Sequence, residues 1–339
     1  MRQVNAHPGT PRRAIVIGGS MSGLFAGLML RTAGWDVAVY EKVEGELSGR
    51  GAGIVAQPQI LETLGGLGLD VRELGVAVQR RRLFDATGRM LLQTDCPQVM
   101  TAWERVYRIL RDAFPAAHYH RRRSLIAIEQ DELGVTALFA DGERVQGDLL
   151  IGADGIRSTV RALHAPDVEP LYAGYVAWRA LIAEGALSEK AHRDIFPVMA
   201  FCLPPGEQML GYPVAGSDND LRPGHLRYNL VWYRPAEEHT ELISLLTDEN
   251  GVAHPLSIPP PLISRASIAA MREAAARLLA PQFVEAVGLV AQPMLQPIFD
   301  LESRALAFGR VAVIGDAAFV ARPHVGAGVA KAAGDVEAL

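Results

Sequence analysis

Three glycine-anchored turns, each following a short apolar run and set far apart in the chain, constrain the fold more than any other feature. They are VIGGSMSG near the start, GADGIRS in the middle and VAVIGDAAFVARPHVGAG near the end. The first follows apolar residues 14–17 and precedes Leu24, Phe25, Leu28 and Met29, whose spacing suits one face of a helix. The pattern is strand, tight turn, helix. In such a unit Gly18 permits the turn, a small residue at Ser20 lets the backbone of the Ser20, Met21, Ser22 stretch approach a pyrophosphate, and Gly23 lets helix and strand pack closely. The phosphates then sit at the positive end of the helix. Ser20 stands where a strict GxGxxG has glycine, so this turn alone is an incomplete fingerprint. The next alternating apolar run, residues 37–40, ends in Glu41, at the distance where an acidic residue accepts hydrogen bonds from an adenosine ribose. Lys42 follows and is placed to border an adenine. Without Glu41, the same glycines would equally fit a turn that only packs a helix on a sheet.

The other two turns separate an FAD protein from a nicotinamide dehydrogenase, which needs neither. Residues 148–151 run as a strand into Gly152-Ala153-Asp154-Gly155, and residues 311–314 run into Gly315-Asp316-Ala317-Ala318. A carboxylate at the end of a buried strand is costly unless it is paired or hydrogen-bonded. Asp316 is placed to accept from ribityl hydroxyls. The stretch Pro323, His324, Val325, Gly326, Ala327, Gly328 opens a helix whose backbone N–H groups can face the electron-rich edge of a flavin ring. The other reading of Asp154 and of Asp316 is a helix cap, common at strand ends.

These turns and their order resemble the single-component (group A) FAD-dependent aromatic hydroxylases built on the 4-hydroxybenzoate hydroxylase fold. The middle turn is similar to that family's DG motif and the last to its GD motif. The strings VIGGSMSGL, LSGRGAGIVAQPQ, YAGYVAWR and ARPHVGAG resemble the 2,6-dihydroxypyridine 3-hydroxylase subgroup, in which a serine at position 20 is usual. The likeness spans essentially the whole chain. It implies an α/β fold, a Rossmann-like FAD-binding domain of the glutathione-reductase type with an inserted antiparallel-sheet substrate domain. Residues 1–75, 100–165 and 300–339 form the discontinuous FAD-binding domain, and 76–99 and 166–299 the substrate domain. It further implies that NADH or NADPH reduces bound FAD, that a flavin C4a-hydroperoxide carries oxygen from O2 to the ring, and that the substrate is a hydroxylated N-heteroaromatic of hydroxypyridine type. Hydroxynicotinate, a purine-like ring or a phenol are the alternatives, and an FAD-linked reductase or oxidase or a flavin-binding sensor is the alternative of another class. With one dinucleotide fingerprint, the nicotinamide donor binds transiently. Relatives continue with helical sequence beyond the last glycine-rich helix, so a further tail after Leu339 and a homodimer contact are both anticipated.

The resemblance also assigns roles. His324 is placed beside the flavin, able to hydrogen-bond a ring hydroxyl or take its proton, since imidazole titrates near working pH, or only to hold a buried loop. Tyr212 lies in a strand-like stretch where its phenol either donates to substrate or packs. Arg179 either binds an anionic substrate or pairs with a carboxylate. Arg50, just before Gly53, and Arg108 resemble arginines that approach the flavin phosphates, the other reading of each being a surface ion pair.

Composition narrows the class. A formal net charge of −5 over 339 residues argues against a nucleic-acid surface. The basic triplets 80–82 and 121–123 fit solvated faces or flavin-phosphate neighbours. No apolar run approaches a membrane span, which makes the cytoplasm the expected location. Cys96 and Cys202, the only cysteines, form no paired motif, and the histidines lack metal-ligand spacing, so no disulfide or metal is expected. Residues 135–139 before the Asp141-Gly142 turn signal predict a hairpin, 174–179 and 227–233 predict strands, and 263–280 has helical spacing.

Overall fold

The computed structural model describes residues 11–47, 53–323 and 328–337. Strand β1 (Arg13–Ile17) leads through the first glycine turn into helix α1 (Met21–Thr32) and back to strand β2 (Asp36–Tyr40), parallel to β1. On its other side β1 pairs in parallel with strand Leu149–Gly152, which pairs in turn with Val311–Val313. Strand Tyr119–His120 lies outside β2 and strand Ala307–Phe308 closes the far edge of this six-stranded sheet.

Period-two alternation explains its two layers. Ala14 and Val16, with Val37 and Val39, face Leu24 and Phe25 of α1 in one apolar cluster. Ile15 and Ile17, with Ala38 and Tyr40, face the opposite way onto Val135, Ala137, Phe139 and Val145. Those four belong to a three-stranded antiparallel sheet, Leu125–Gln130, Val135–Phe139 and Arg144–Gly147, so the predicted hairpin over Asp141-Gly142 is present. A sheet buried on both faces explains why its strands are continuous apolar runs.

The second architecture is a nine-stranded mixed sheet. Its hydrogen-bonding order is Phe319–Val320, Met294–Glu302, Leu171–Ala183, Arg227–Pro235, Gln208–Val214, Met199–Cys202, Val76–Phe84, Met90–Ala102 and Gly53–Ala56. The last of these returns over the sheet's middle: Gly53 N–H donates to Asn229 Oδ1 at 2.9 Å, and its carbonyl accepts from Arg179 Nη2 at 3.2 Å. The sheet is therefore curled, with an inner and an outer face. Tyr228, Leu230 and Trp232 point outward into a core capped by helices Glu189–Ile195, Arg265–Leu278 and Pro281–Gly288. Alternate residues Val231 and Tyr233 point inward beside Leu210 and Tyr212. The predicted helix over 263–280 is thus present as Arg265–Leu278. Cys202 packs in the outer core.

Among the described residues, no helix is long and apolar enough to cross a membrane, and no cluster of His, Cys, Asp and Glu could hold a metal.

Trp232 is wholly buried under the helical layer. Trp232→Ala is expected to cost about 3–5 kcal/mol, as for other large-to-small core changes, and to lower the urea midpoint of the nine-stranded sheet's unfolding. A tryptophan-deletion variant with an unchanged midpoint would show that this layer does not limit stability.

Candidate functional site

β1, Leu149–Gly152 and Val311–Val313 are parallel neighbours, so the turns that follow them all open at the same carboxyl edge of the sheet. That edge is where open α/β sheets place ligands. The three turns, remote in sequence, are tied directly: Gly18 N–H donates to Tyr40 O at 2.8 Å, Ala153 N–H to Ile17 O at 2.7 Å and Ile314 N–H to Gly152 O at 2.9 Å. Gly18 adopts φ +109°, a backbone geometry that L side chains rarely adopt, and a Cβ there would overlap the Ala153 carbonyl. A Cβ on Gly23 would meet the Gly18 carbonyl, so Gly23 serves the helix–strand packing and does not itself border the cavity.

A cavity of about 1030 Å³ runs from this edge to the inner face of the curled sheet. Gly18, Ser20, Met21 and Ser22 border it, with Glu41 and Lys42 at the end of β2, Gly53, Asp154, Asp316, Pro323 and Gly328. Glu41 is buried and already anchored, accepting from Gly19 N–H and Val43 N–H at 2.8 Å each. A carboxylate has about four acceptor sites, so lone pairs remain for a ribose.

The two aspartates separate. Asp154 accepts from Thr159 N–H at 2.7 Å and from the hydroxyl of Ser158, the residue that caps the short helix Thr159–His164 by accepting from Arg161 N–H, so Asp154 braces the start of that helix while it still lines the cavity. Asp316 makes no hydrogen bond or ion pair with a described residue. It stands open to the cavity yet hemmed in by protein, and this burial pushes its carboxyl pKa up, partly opposed by Lys331. Burial likewise raises Asp154, offset by its hydrogen bonds from Ser158, Val160 and Thr159. An acceptor pointing into a cavity without a donor, a glycine cradle and a helix N-terminus suit a dinucleotide with ribityl hydroxyls.

The inner face supplies the other half of the cavity through Met199, Phe201, Leu210, Val231 and Ile298, with polar Gln208, Tyr212, Tyr233, Arg81, Arg179 and Gln296. Tyr212 is 4% exposed, and burial holds its phenol pKa well above the usual value. Its hydroxyl makes no hydrogen bond with a described residue. Arg179 pairs with no carboxylate among the described residues; it donates to Gln296 Oε1 at 3.1 Å and to Gly53 O.

Arg108 does not reach the cavity. It lies on helix Trp103–Ala113, 45% exposed, and pairs with Glu104 at 2.6 Å and Asp218 at 3.2 Å, a surface ion pair in place of the expected flavin-phosphate contact. The acidic partner one helical turn away satisfies its charge and holds it outward. Arg50, His324, Gly326 and Ala327 lie outside the described residues. Several lining residues have no counterpart in the sequence reading: Trp103, Gln98, Gln208, Tyr233, Gln296 and the cavity position of Arg81. A strand-parity argument could have found Gln208 and Tyr233, which alternate with residues of the outer core.

The chain matches the FAD binding domain family over residues 12–170 and an FAD binding domain-like family over 172–300. It is 33% identical to a 2,6-dihydroxypyridine 3-monooxygenase of Paenarthrobacter nicotinovorans over 331 residues, 97% of this chain and 82% of that protein. The solved 2,6-dihydroxypyridine-3-hydroxylase of Arthrobacter nicotinovorans superposes with a TM-score of 0.90 at 32% identity, covering 97% of this chain and 82% of that one. Klebsiella pneumoniae HpxO complexed with FAD and uric acid shares the fold at a TM-score of 0.77 and 24% identity, over 96% of this chain and 78% of that one.

Asp316→Asn tests the cavity carboxylate in two ways. A carboxyl whose pKa is raised by folding contributes a stability that is full below its unfolded pKa and is lost as pH rises through its folded pKa. In the FAD-free protein the asparagine variant is therefore expected to melt higher than the parent at pH 7, the gap closing toward acid pH, while FAD affinity falls about tenfold or more through the lost charge-assisted acceptor. A thermal melt and a flavin titration measure both; unchanged FAD affinity would remove Asp316 from the cofactor site. For Glu41→Gln, FAD affinity is also expected to fall about tenfold, read by the same titration.

Proposed function

Because the chain belongs to the FAD-dependent aromatic monooxygenases of the 4-hydroxybenzoate hydroxylase fold, we propose that it hydroxylates a hydroxylated N-heteroaromatic ring of the hydroxypyridine type, consuming NADH or NADPH and O2. The observation that carries this reading is the continuity of the cavity, which joins the glycine turns of the nucleotide lobe to a chamber on the curled sheet with an apolar wall and polar side chains beside it. The 33% identity with a dihydroxypyridine monooxygenase across nearly the whole chain supports the choice of ring.

The residues divide the work. FAD, when bound, supplies the redox and oxygen-activating chemistry that side chains lack. Gly18, Ser20, Met21 and Ser22 would receive its phosphates at the start of α1, Glu41 the adenosine ribose and Asp316 the ribityl hydroxyls. Leu210, Val231, Met199 and Ile298 provide an apolar wall that excludes water from the reacting ring. Tyr212 remains a protonated phenol at any working pH, because burial raises its pKa, and it acts as a hydrogen-bond donor to a ring oxygen, orienting the carbon to be attacked.

The test is NADH and NADPH oxidation by the FAD-loaded protein across hydroxypyridines, hydroxynicotinates, purines and phenols, with products identified by mass. A gain of one oxygen on a hydroxypyridine, with faster flavin reduction when that ring is present, is the expected outcome; oxygen transfer only to a phenol or purine would refute the ring assignment. Tyr212→Phe is expected to retain FAD and lose about tenfold in kcat/KM, the worth of one hydrogen bond in the transition state.

A further inference from the structure

Strands Gln208–Val214 and Arg227–Pro235 set the inner face in rungs: Gln208 stands opposite Tyr233, Leu210 opposite Val231 and Tyr212 opposite Asn229. An apolar rung thus lies between two polar ones, and the run from Gln208 to Tyr212 covers about 13 Å along the strand. The two ends differ in chemistry. Tyr212 offers a hydroxyl. Gln208 offers a primary amide, a donor and an acceptor side by side, which borders the cavity and makes no hydrogen bond with a described residue.

The other glutamines on the cavity wall are not equivalent to it. Gln98 Oε1 accepts from Arg81 Nε and Nη2 at 3.1 and 2.8 Å, Gln296 Oε1 accepts from Arg179 Nη1 at 3.1 Å, and Gln57 interacts within the protein. Their acceptors serve guanidinium groups or neighbours, whereas the Gln208 oxygen is uncommitted. Across the rung, burial pushes the Tyr233 phenol up to about 12, so it stays a protonated donor, and its ring is steadied edge-on against Tyr175 with centroids 6.0 Å apart. Gln208 and Tyr233 also border a second cavity of about 320 Å³. The arginines there are each paired with an acid, Arg234 with Glu207 and Arg322 with Asp300. Charge on that side is compensated, which suits a neutral guest.

A primary amide is matched by a ring edge that is itself an amide. In a lactam a ring N–H adjoins a carbonyl, so the N–H donates to Gln208 Oε1 while the carbonyl accepts from Gln208 Nε2, and the second lone pair of that carbonyl accepts from the Tyr233 hydroxyl. A phenol has no ring N–H. A hydroxypyridine whose oxygen and nitrogen are not on adjacent ring atoms satisfies only one side of the amide at a time.

We propose that Gln208 is the residue that selects the ring, by pairing with the N–H and C=O of a lactam edge while Tyr233 donates to the same carbonyl, so that the protein takes the 2-pyridone form of a hydroxypyridine over isomers and phenols that lack this edge. The inference deepens the hydroxypyridine reading and rests on the cavity being the substrate site. It concerns binding, so it is testable without turnover.

The experiment is calorimetric titration of the FAD-loaded protein with 2-hydroxypyridine, which in water is mainly the lactam, with its isomer 3-hydroxypyridine, which has no lactam form, and with phenol. The first is expected to bind about tenfold tighter or more than the other two. Gln208→Met, similar in size but without the amide, removes the preference; Gln208→Glu, an acceptor only, loses most of it; Tyr212→Phe leaves the ratio in place. Flavin absorbance reports the FAD content of each variant. Equal affinity for the two isomers, no measurable binding of 2-hydroxypyridine at millimolar concentration, or a preference that survives Gln208→Met overturns the proposal. So does a Gln208→Met variant that weakens both isomers by the same factor, which would leave Gln208 a packing role alone. Should Gln208→Met fail to hold FAD, the isomer comparison in the parent protein and Gln208→Glu decides. Isomer discrimination without any hydroxylated product would refute the hydroxypyridine reading and leave the lactam preference standing, and hydroxylation of a hydroxypyridine with no isomer discrimination would do the reverse.

Discussion

The structure depends on one close backbone approach, where the turn after β1 lies against the turn after its parallel neighbour Leu149–Gly152. Gly18 lies against the Ala153 carbonyl closely enough that no Cβ fits between them. Its own N–H is fixed to Tyr40, and the next N–H, that of Gly19, is fixed to the Glu41 carboxylate at 2.8 Å. These contacts bring the first turn, the end of β2 and the middle turn into one place. The last turn joins through Ile314 on Gly152 and through Gly315, whose N–H donates to Asp335 Oδ2 at 2.8 Å. The first glycine turn, Glu41 and Asp316 are therefore brought to one edge of the cavity as consequences of a single close approach, and all are held on rigid strand ends.

The nucleotide lobe and the curled sheet solve different problems. The lobe places unsatisfied donors and acceptors where a polar, charged cofactor can meet them. The sheet separates its two faces by parity, with Trp232, Leu230 and Tyr228 sealing the outer core, and Val231 and Tyr233 left to the cavity. One strand thereby gives both stability and a binding surface. The return of Gly53–Ala56 across the sheet links the two parts, since Gly53 touches Asn229 and Arg179 and a Cβ on it would run into the Tyr212 ring. At that point glycine is required by the approach of backbone to side chains across the cavity wall.

Much of the nucleotide half was legible in the chain itself. Its signals are local: an apolar run, a glycine turn and an acidic residue at a fixed offset occupy neighbouring positions, so spacing alone orders them. Arg108 shows where locality misleads, because its resemblance to a phosphate-binding arginine cannot reveal that Glu104 and the distant Asp218 take its charge outward. Arg81 shows the same from the other side. Val78 packs in the inner-face cluster, and strict alternation would send Arg80 inward after it, but a register shift between Val78 and Arg80 exchanges the parity and aims Arg81 at Gln98 and the cavity.

By itself the sequence determined the strand–turn–helix units, the need for glycine at Gly18 and the acid at Glu41, because these follow from backbone sterics and short-range spacing. It also determined membership in a flavin-binding class through the order of three turns. Only the tertiary structure decided that Asp154 braces the start of a helix capped by Ser158 while Asp316 makes no hydrogen bond or ion pair with a described residue, and that Arg179 faces the cavity with no carboxylate among the described residues paired to it. The reason is physical: what a charged side chain rests on depends on groups such as Gly53 and Gln296, 126 and 117 residues away, and no local pattern encodes which of them the fold brings near.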